Sequence, residues 1–187
     1  MMKARCIRPL LVVALLTASC GGEAPKLKGP WAHVTKRKLS TPHASFFNKP
    51  FKSPQEVTKA CLGCHPKAAK EIMKTSHWRW KAQEAVVLPG HKQAIRLGKD
   101  KGFNNFCIGT PSNTVMCTKC HIGYGWKDET FNFNDEKNVD CLVCHDTSGS
   151  YAKKGGGLPK KGVNLLKAAR SVGHTSRGTC GNCHFYG

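Results

Sequence analysis

The sequence predicts a mostly α fold with extensive irregular structure, and three observations predict it. Four Cys-x-x-Cys-His motifs recur along the 187 residues, apolar residues are sparse between them, and no stretch alternates as a half-buried strand does. Each motif puts two thiols and an imidazole at positions i, i+3 and i+4, which share one face of a helical turn. The short apolar runs between motifs are too isolated to build a sheet, and glycine and lysine are common there. A chain this polar struggles to bury enough apolar surface alone, so something else must supply its core.

The motifs say what supplies it. They are Cys61-Leu62-Gly63-Cys64-His65, Cys117-Thr118-Lys119-Cys120-His121, Cys141-Leu142-Val143-Cys144-His145 and Cys180-Gly181-Asn182-Cys183-His184. Two thiols three residues apart reach two vinyl groups on one edge of a haem, and the next residue offers its imidazole to the iron. The pattern is a haem c attachment signature. The bland alternative is zinc or disulfide, since Cys117/Cys120 and Cys141/Cys144 have zinc-ribbon spacing. That reading does not require a histidine after every second cysteine. With nine histidines in the chain, chance places one there about once in twenty, and all four far more rarely. The expectation is a multihaem cytochrome c fold organised around four covalently attached, stacked haems.

The elements follow in order. Residues 1–19 read as a signal peptide: Lys3, Arg5 and Arg8 precede the apolar run Leu10 to Leu16, which is too short to span a bilayer. Thr17-Ala18-Ser19-Cys20 resembles a lipoprotein cleavage site, which would leave a lipid anchor on Cys20. Thr17 stands where leucine is commoner, and simple secretion is the alternative. Either route puts the protein in the periplasm or cell envelope and removes Cys6. Residues 20–52 read as a tether and extended arm, interrupted by Pro42 and Pro50.

A tetrahaem domain, residues 53–187, follows. Ser53-Pro54-Gln55-Glu56 is a capping box with proline at the first helical position, and it predicts a helix from about Pro54 to Lys74. The Cys141 and Cys180 motifs should sit on shorter turns, Gly155 to Gly157 on a loop, and Leu165 to Ser171 on a short helix.

An electron-transfer haem takes a second axial ligand, and five histidines lie outside the motifs: His33, His43, His77, His91 and His174. His77 leads, since it directly follows the first haem helix and is flanked by Trp78 and Trp80. His43 is next, in a segment able to lie across a haem face. For both, a plain surface histidine remains the alternative, as it does for the other three. Cys107 is the one cysteine of the mature domain without a motif partner. It reads either as a small buried hydrophobe or as a thiol beside a substrate-binding haem.

Thirty Lys and Arg against eleven Asp and Glu give a formal charge of +19. The lysines are spread along the chain and no basic helix alternates with stacking aromatics, so nucleic acid is not an expected partner. Haem propionates would cancel about two charges per haem. The remaining field would steer small inorganic anions inward or simply keep the surface solvated.

Specific strings carry a family resemblance. They are Lys74-Thr75-Ser76-His77-Trp78, Asn104-Asn105-Phe106-Cys107, the run from Cys120 to Lys127, the run from Val139 to Asp146, and Cys183-His184-Phe185-Tyr186-Gly187. Together they resemble the octahaem tetrathionate reductase family over residues 43–187, in its N-terminal half only. The resemblance implies reduction of tetrathionate, with nitrite and hydroxylamine as side activities. It also implies that the haem on Cys117/Cys120 is the reaction centre, with Cys107 close to it. The family's lysine ligand to that haem falls beyond Gly187. The chain therefore reads either as part of an octahaem enzyme or as a tetrahaem electron carrier serving redox partner proteins.

Overall fold

The computed structural model describes residues 42–102 and 109–185. They belong to one compact unit that begins at Arg37; the preceding unit, Met1–Lys36, lies outside the described residues. The signal peptide, Cys20, His33 and Cys107 lie outside them too.

The fold is a string of short helices joined by turns and irregular chain. α1 spans Pro54–Cys64, α2 Ala68–Ile72, α3 Ser76–Arg79, α4 Thr114–Cys117, α5 Leu142–His145, α6 Leu165–Arg170 and α7 Arg177–His184. Among the described residues there is no strand, only isolated antiparallel bridges such as Val86–Ile95 and Gly123–Val139. No helix among these residues is long and apolar enough to cross a membrane.

The helix expected from Pro54 to Lys74 is two helices. α1 starts as foreseen, with Ser53 Oγ accepting the Glu56 N–H at 3.3 Å. The Glu56 carboxylate accepts the Lys52 N–H at 2.7 Å instead of completing the box at Ser53. α1 then stops at Cys64, and His65 leaves helical geometry at φ −118°, ψ 59°. Pro66 explains the stop: it lacks an N–H and its ring disfavours the α region at the residue before it. The break releases His65 from the helix and points the chain into α2.

α7 is longer than the turn expected at the fourth motif. Ser176 Oγ accepts the Thr179 N–H at 3.3 Å and Thr179 Oγ1 accepts the Ser176 N–H at 2.9 Å. This is a capping box with threonine in place of Glu or Gln. α6 forms where predicted, capped by Asn164 Oδ1 on the Lys167 N–H at 2.9 Å.

Two small apolar clusters hold these pieces. Val57, Ala69, Trp78, Ile122, Val139, Leu142, Val143, Ala168 and Ala169 form the larger, with Phe47 and Phe51 packed against it. Trp80, Cys117 and Trp126, with Phe131 and Phe133, form the smaller around the second motif. One glycine turn locks the second motif in place. Gly157 has φ +73°, and a Cβ there would sit 2.0 Å from the Gly123 carbonyl oxygen. Only glycine fits both the left-handed backbone and that approach.

Candidate haem-binding sites

Each motif occupies the end or start of a helical turn. Cys61 and Cys64 lie in the last turn of α1, Cys117 ends α4, and Thr118–Cys120 continues it as a 3₁₀ turn. Cys141 sits directly before α5, and Cys180 and Cys183 lie within α7. All eight motif cysteines are free thiols here and stand in for the thioether sulfurs of attached haem. Among the described residues, no group of three or more His, Cys, Asp and Glu side chains gathers to hold a metal ion.

Three motif histidines, His65, His145 and His184, are exposed. His145 Nδ1 lies 2.9 Å from the Gly173 carbonyl. That bond needs the proton on Nδ1 and leaves Nε2 as the free lone pair, the arrangement that orients metal-ligating imidazoles. His65 faces His43 with ring centres 6.2 Å apart. His184 faces His77 with ring centres 6.0 Å apart. Imidazole pairs at this spacing would suit two nitrogen donors to one iron. His43 also carries a buried Nδ1 with no partner. Among the described residues neither His91 nor His174, both exposed, has a ring beside a motif histidine.

His121 is different. Its side chain is fully buried, with ring centres of Trp126 at 4.7 Å, Trp78 at 5.1 Å and Trp80 at 5.6 Å. Its Nε2 lies 2.7 Å from the Trp78 carbonyl, so Nε2 carries the proton and donates it there. Nδ1 has no well-formed partner. Burial, aided by the nearby Lys153 cation, holds the imidazole neutral, with its pKa pushed down to about 4. An imidazole expected as a plain motif ligand is thus committed through Nε2 to a carbonyl. Gly123 makes the packing possible, since a Cβ there would lie 2.7 Å from the Trp78 ring and 2.8 Å from His121 Cε1.

The motifs adjoin one another. The Cys61 thiol is within hydrogen-bonding reach of Cys141, which lowers the first pKa and raises the second. Cys120 and Cys183 pair likewise; the Cys183 contact, with help from Lys99, Lys119 and Lys153, brings Cys120 down to about 6. Cys183 Sγ also lies 3.9 Å from the Cys120 carbonyl. A cavity of about 170 Å³ lies among these motifs, lined by Lys119, Val143, Tyr151, Lys153, Asn182 and Cys183.

No protein-family model matches the chain, and no curated protein does. Among solved structures, the octahaem cytochrome c of Shewanella oneidensis superimposes with a TM-score of 0.72 at 46% identity. The match covers 79% of this chain and 34% of that one. The chain belongs to the multihaem c-type cytochromes. The mostly α, irregular fold expected from the motif spacing is the fold of this cytochrome. It spans about a third of the length of the octahaem relative.

The residues of the cytochrome fit covalently bound haem c. The paired thiols supply the attachment points, and His65 with His43 and His184 with His77 would each hold one iron. His145 is oriented by Gly173 to serve the third motif. When bound, haem supplies a one-electron couple at its iron. The protein around it would decide which imidazoles face each other and set the local charge.

Sequence reading missed the buried polar set beneath these motifs. Asp140, Tyr124, Tyr151 and Lys153 are all buried and joined through the Asp140 carboxylate. Burial first, and the Asp140 charge next, raise both tyrosine pKa values, so the phenols stay protonated donors. Asp140 directly precedes a motif cysteine, the only signal the sequence carried.

Proposed function

We propose that this chain is an exported cytochrome carrying four haems, three of which pass electrons while the one on Cys117/Cys120 is a reaction centre for tetrathionate or nitrogen oxyanions. The observation that carries this reading is the commitment of His121 Nε2 to the Trp78 carbonyl at 2.7 Å. Held this way, His121 would not offer Nε2 to an iron beside that motif, whereas His65 and His184 lie beside second histidines that could hold one. Filled axial positions suit electron transfer, and an open position suits catalysis. The cations Lys99, Lys119 and Lys153 act on Cys120 and would favour an anionic substrate there.

The reaction balances simply. Two electrons from a redox partner protein cleave the central S–S bond of tetrathionate and release two thiosulfate ions, with no proton required. Cys107, near the reaction haem by resemblance, would line the substrate side. Export by the N-terminal signal, with lipidation of Cys20, would put this chemistry in the periplasm on a lipid anchor.

A second reading is a tetrahaem electron carrier with no catalysis, favoured by the two facing histidine pairs. One experiment separates the two. The chain is produced in a host with haem-attachment machinery, weighed, reduced, and mixed with tetrathionate or nitrite. Four haem masses, a high-spin component and haem reoxidation on mixing support the enzyme. Four haem masses with wholly low-spin spectra and no reoxidation leave the carrier. No haem mass overturns both.

A further inference from the structure

Attachment and ligation use neither Asp140 nor Lys153, yet both are buried at the meeting of two motifs. Asp140 Oδ1 accepts the Val143 N–H at 3.1 Å and the Tyr124 hydroxyl at 3.0 Å. Its Oδ2 accepts the Tyr151 hydroxyl at 2.8 Å and lies 2.9 Å from Lys153 Nζ. Lys153 Nζ also donates to the His121 carbonyl. The carboxylate is therefore bonded to the backbone of the Cys141 attachment loop, and the ammonium to that of the Cys117 loop. The two side chains are 0% and 4% exposed.

Stability alone is a weak reason for such a pair, because desolvating two charges offsets most of their attraction. Their placement has a clearer consequence. In a poorly polarisable interior, charges act over longer distances than in water. The surroundings continue the same polarity. Lys99 and Lys119 act with Lys153 on Cys120, and Asp140 acts on Cys141. Both members of the pair reach both motifs, but Lys153 outweighs Asp140 at His121 and Asp140 outweighs Lys153 at Cys144. Asp146 is buried directly after His145.

We infer that the Asp140–Lys153 pair is a fixed internal dipole that separates the potentials of the two haems flanking it. Its positive end raises the potential of the haem on Cys117/Cys120, and its negative end lowers that of the haem on Cys141/Cys144. Electrons then run downhill from the third motif to the second. No bond forms and no proton moves; the pair positions charge, and Tyr124 and Tyr151 hold the carboxylate still. The inference rests on the haem reading above.

The test is a spectroelectrochemical titration of the haem-loaded chain, with the two haems followed by their separate electron paramagnetic resonance signals. Lys153→Met should lower mainly the Cys117/Cys120 potential, and Asp140→Asn should raise mainly the Cys141/Cys144 potential. Each narrows the gap. Lys153→Arg keeps the charge and should keep the gap, and so should Tyr151→Phe, which removes a hydrogen bond but no charge. Equal shifts of both haems, an unchanged gap in the charge variants, or a gap narrowed as much by Tyr151→Phe would overturn the inference. If a single variant fails to fold, the neutral double variant Asp140→Asn/Lys153→Met is titrated, and a gap that survives in it is equally fatal. Haem mass is recorded on every sample, so failure of attachment is distinguished from failure of the dipole.

Discussion

The imidazoles of His43 and His65 face each other with ring centres 6.2 Å apart, although one lies on a 3₁₀ turn before α1 and the other just past its end. Removing His43 should therefore strip one axial ligand from the haem on Cys61/Cys64. His43→Ala is expected to convert one low-spin signal to high-spin while haem mass stays constant. Unchanged spin states would remove His43 from the ligand set.

His77 makes the corresponding prediction for the fourth motif, since its ring lies 6.0 Å from that of His184. His77→Ala should alter a different low-spin signal from the one His43→Ala alters. His91→Ala, at an exposed site beside no motif histidine, should alter none. Loss of the same signal in both the His43 and the His77 variants would contradict the pairing.

Acid should expose His121. Its pKa is about 4 in the fold against 6.5 ordinarily, so the unfolded chain takes up the proton first. Stability from this group is full above about pH 6.5 and falls as pH drops toward 4. The 2.5-unit difference corresponds to roughly 3 kcal/mol at most. Denaturant unfolding at pH 7, 5.5 and 4 should show this loss, and His121→Gln should flatten it. An equal slope in the variant would assign the acid sensitivity elsewhere.

Gly157→Ala should destabilise the second motif. The new methyl would meet the Gly123 carbonyl at 2.0 Å with φ at +73°, for a cost of about 2 kcal/mol or more. Gly162→Ala shares the left-handed backbone, at φ +88°, but finds open space, so it should cost only about 1 kcal/mol. Thermal unfolding of the two variants compares them directly, and equal losses would mean that the contact with Gly123 matters little.

Local chemistry was legible in the sequence and distant partnership was not. Ser53 and Pro54 marked the start of α1 because a cap is a contact within four residues. Pro66 carried the signal for its end, but the apolar spacing running past it to Ile72 suggested continuity. The Ser176–Thr179 box lacks the usual sequence signal because threonine stands in place of Glu or Gln. The orientation of His121 depends on the carbonyl of Trp78, and the Asp140–Lys153 pair joins two segments, so no spacing rule reports either. His77 and His43 stood out by flanking residues alone; which motif each faces came only from the fold.

The closeness of Cys61 to Cys141 also bears on how the molecule is made. These sulfurs belong to different motifs and meet only once the chain has folded. A polypeptide that folded with both still unalkylated would hold two thiols within hydrogen-bonding reach, and their oxidation would withhold both from haem attachment. Attachment before compaction, or a reductant, would prevent this. Non-reducing electrophoresis of the chain from haem-starved cells, with Cys61→Ala beside it, would reveal the wrongly bridged species.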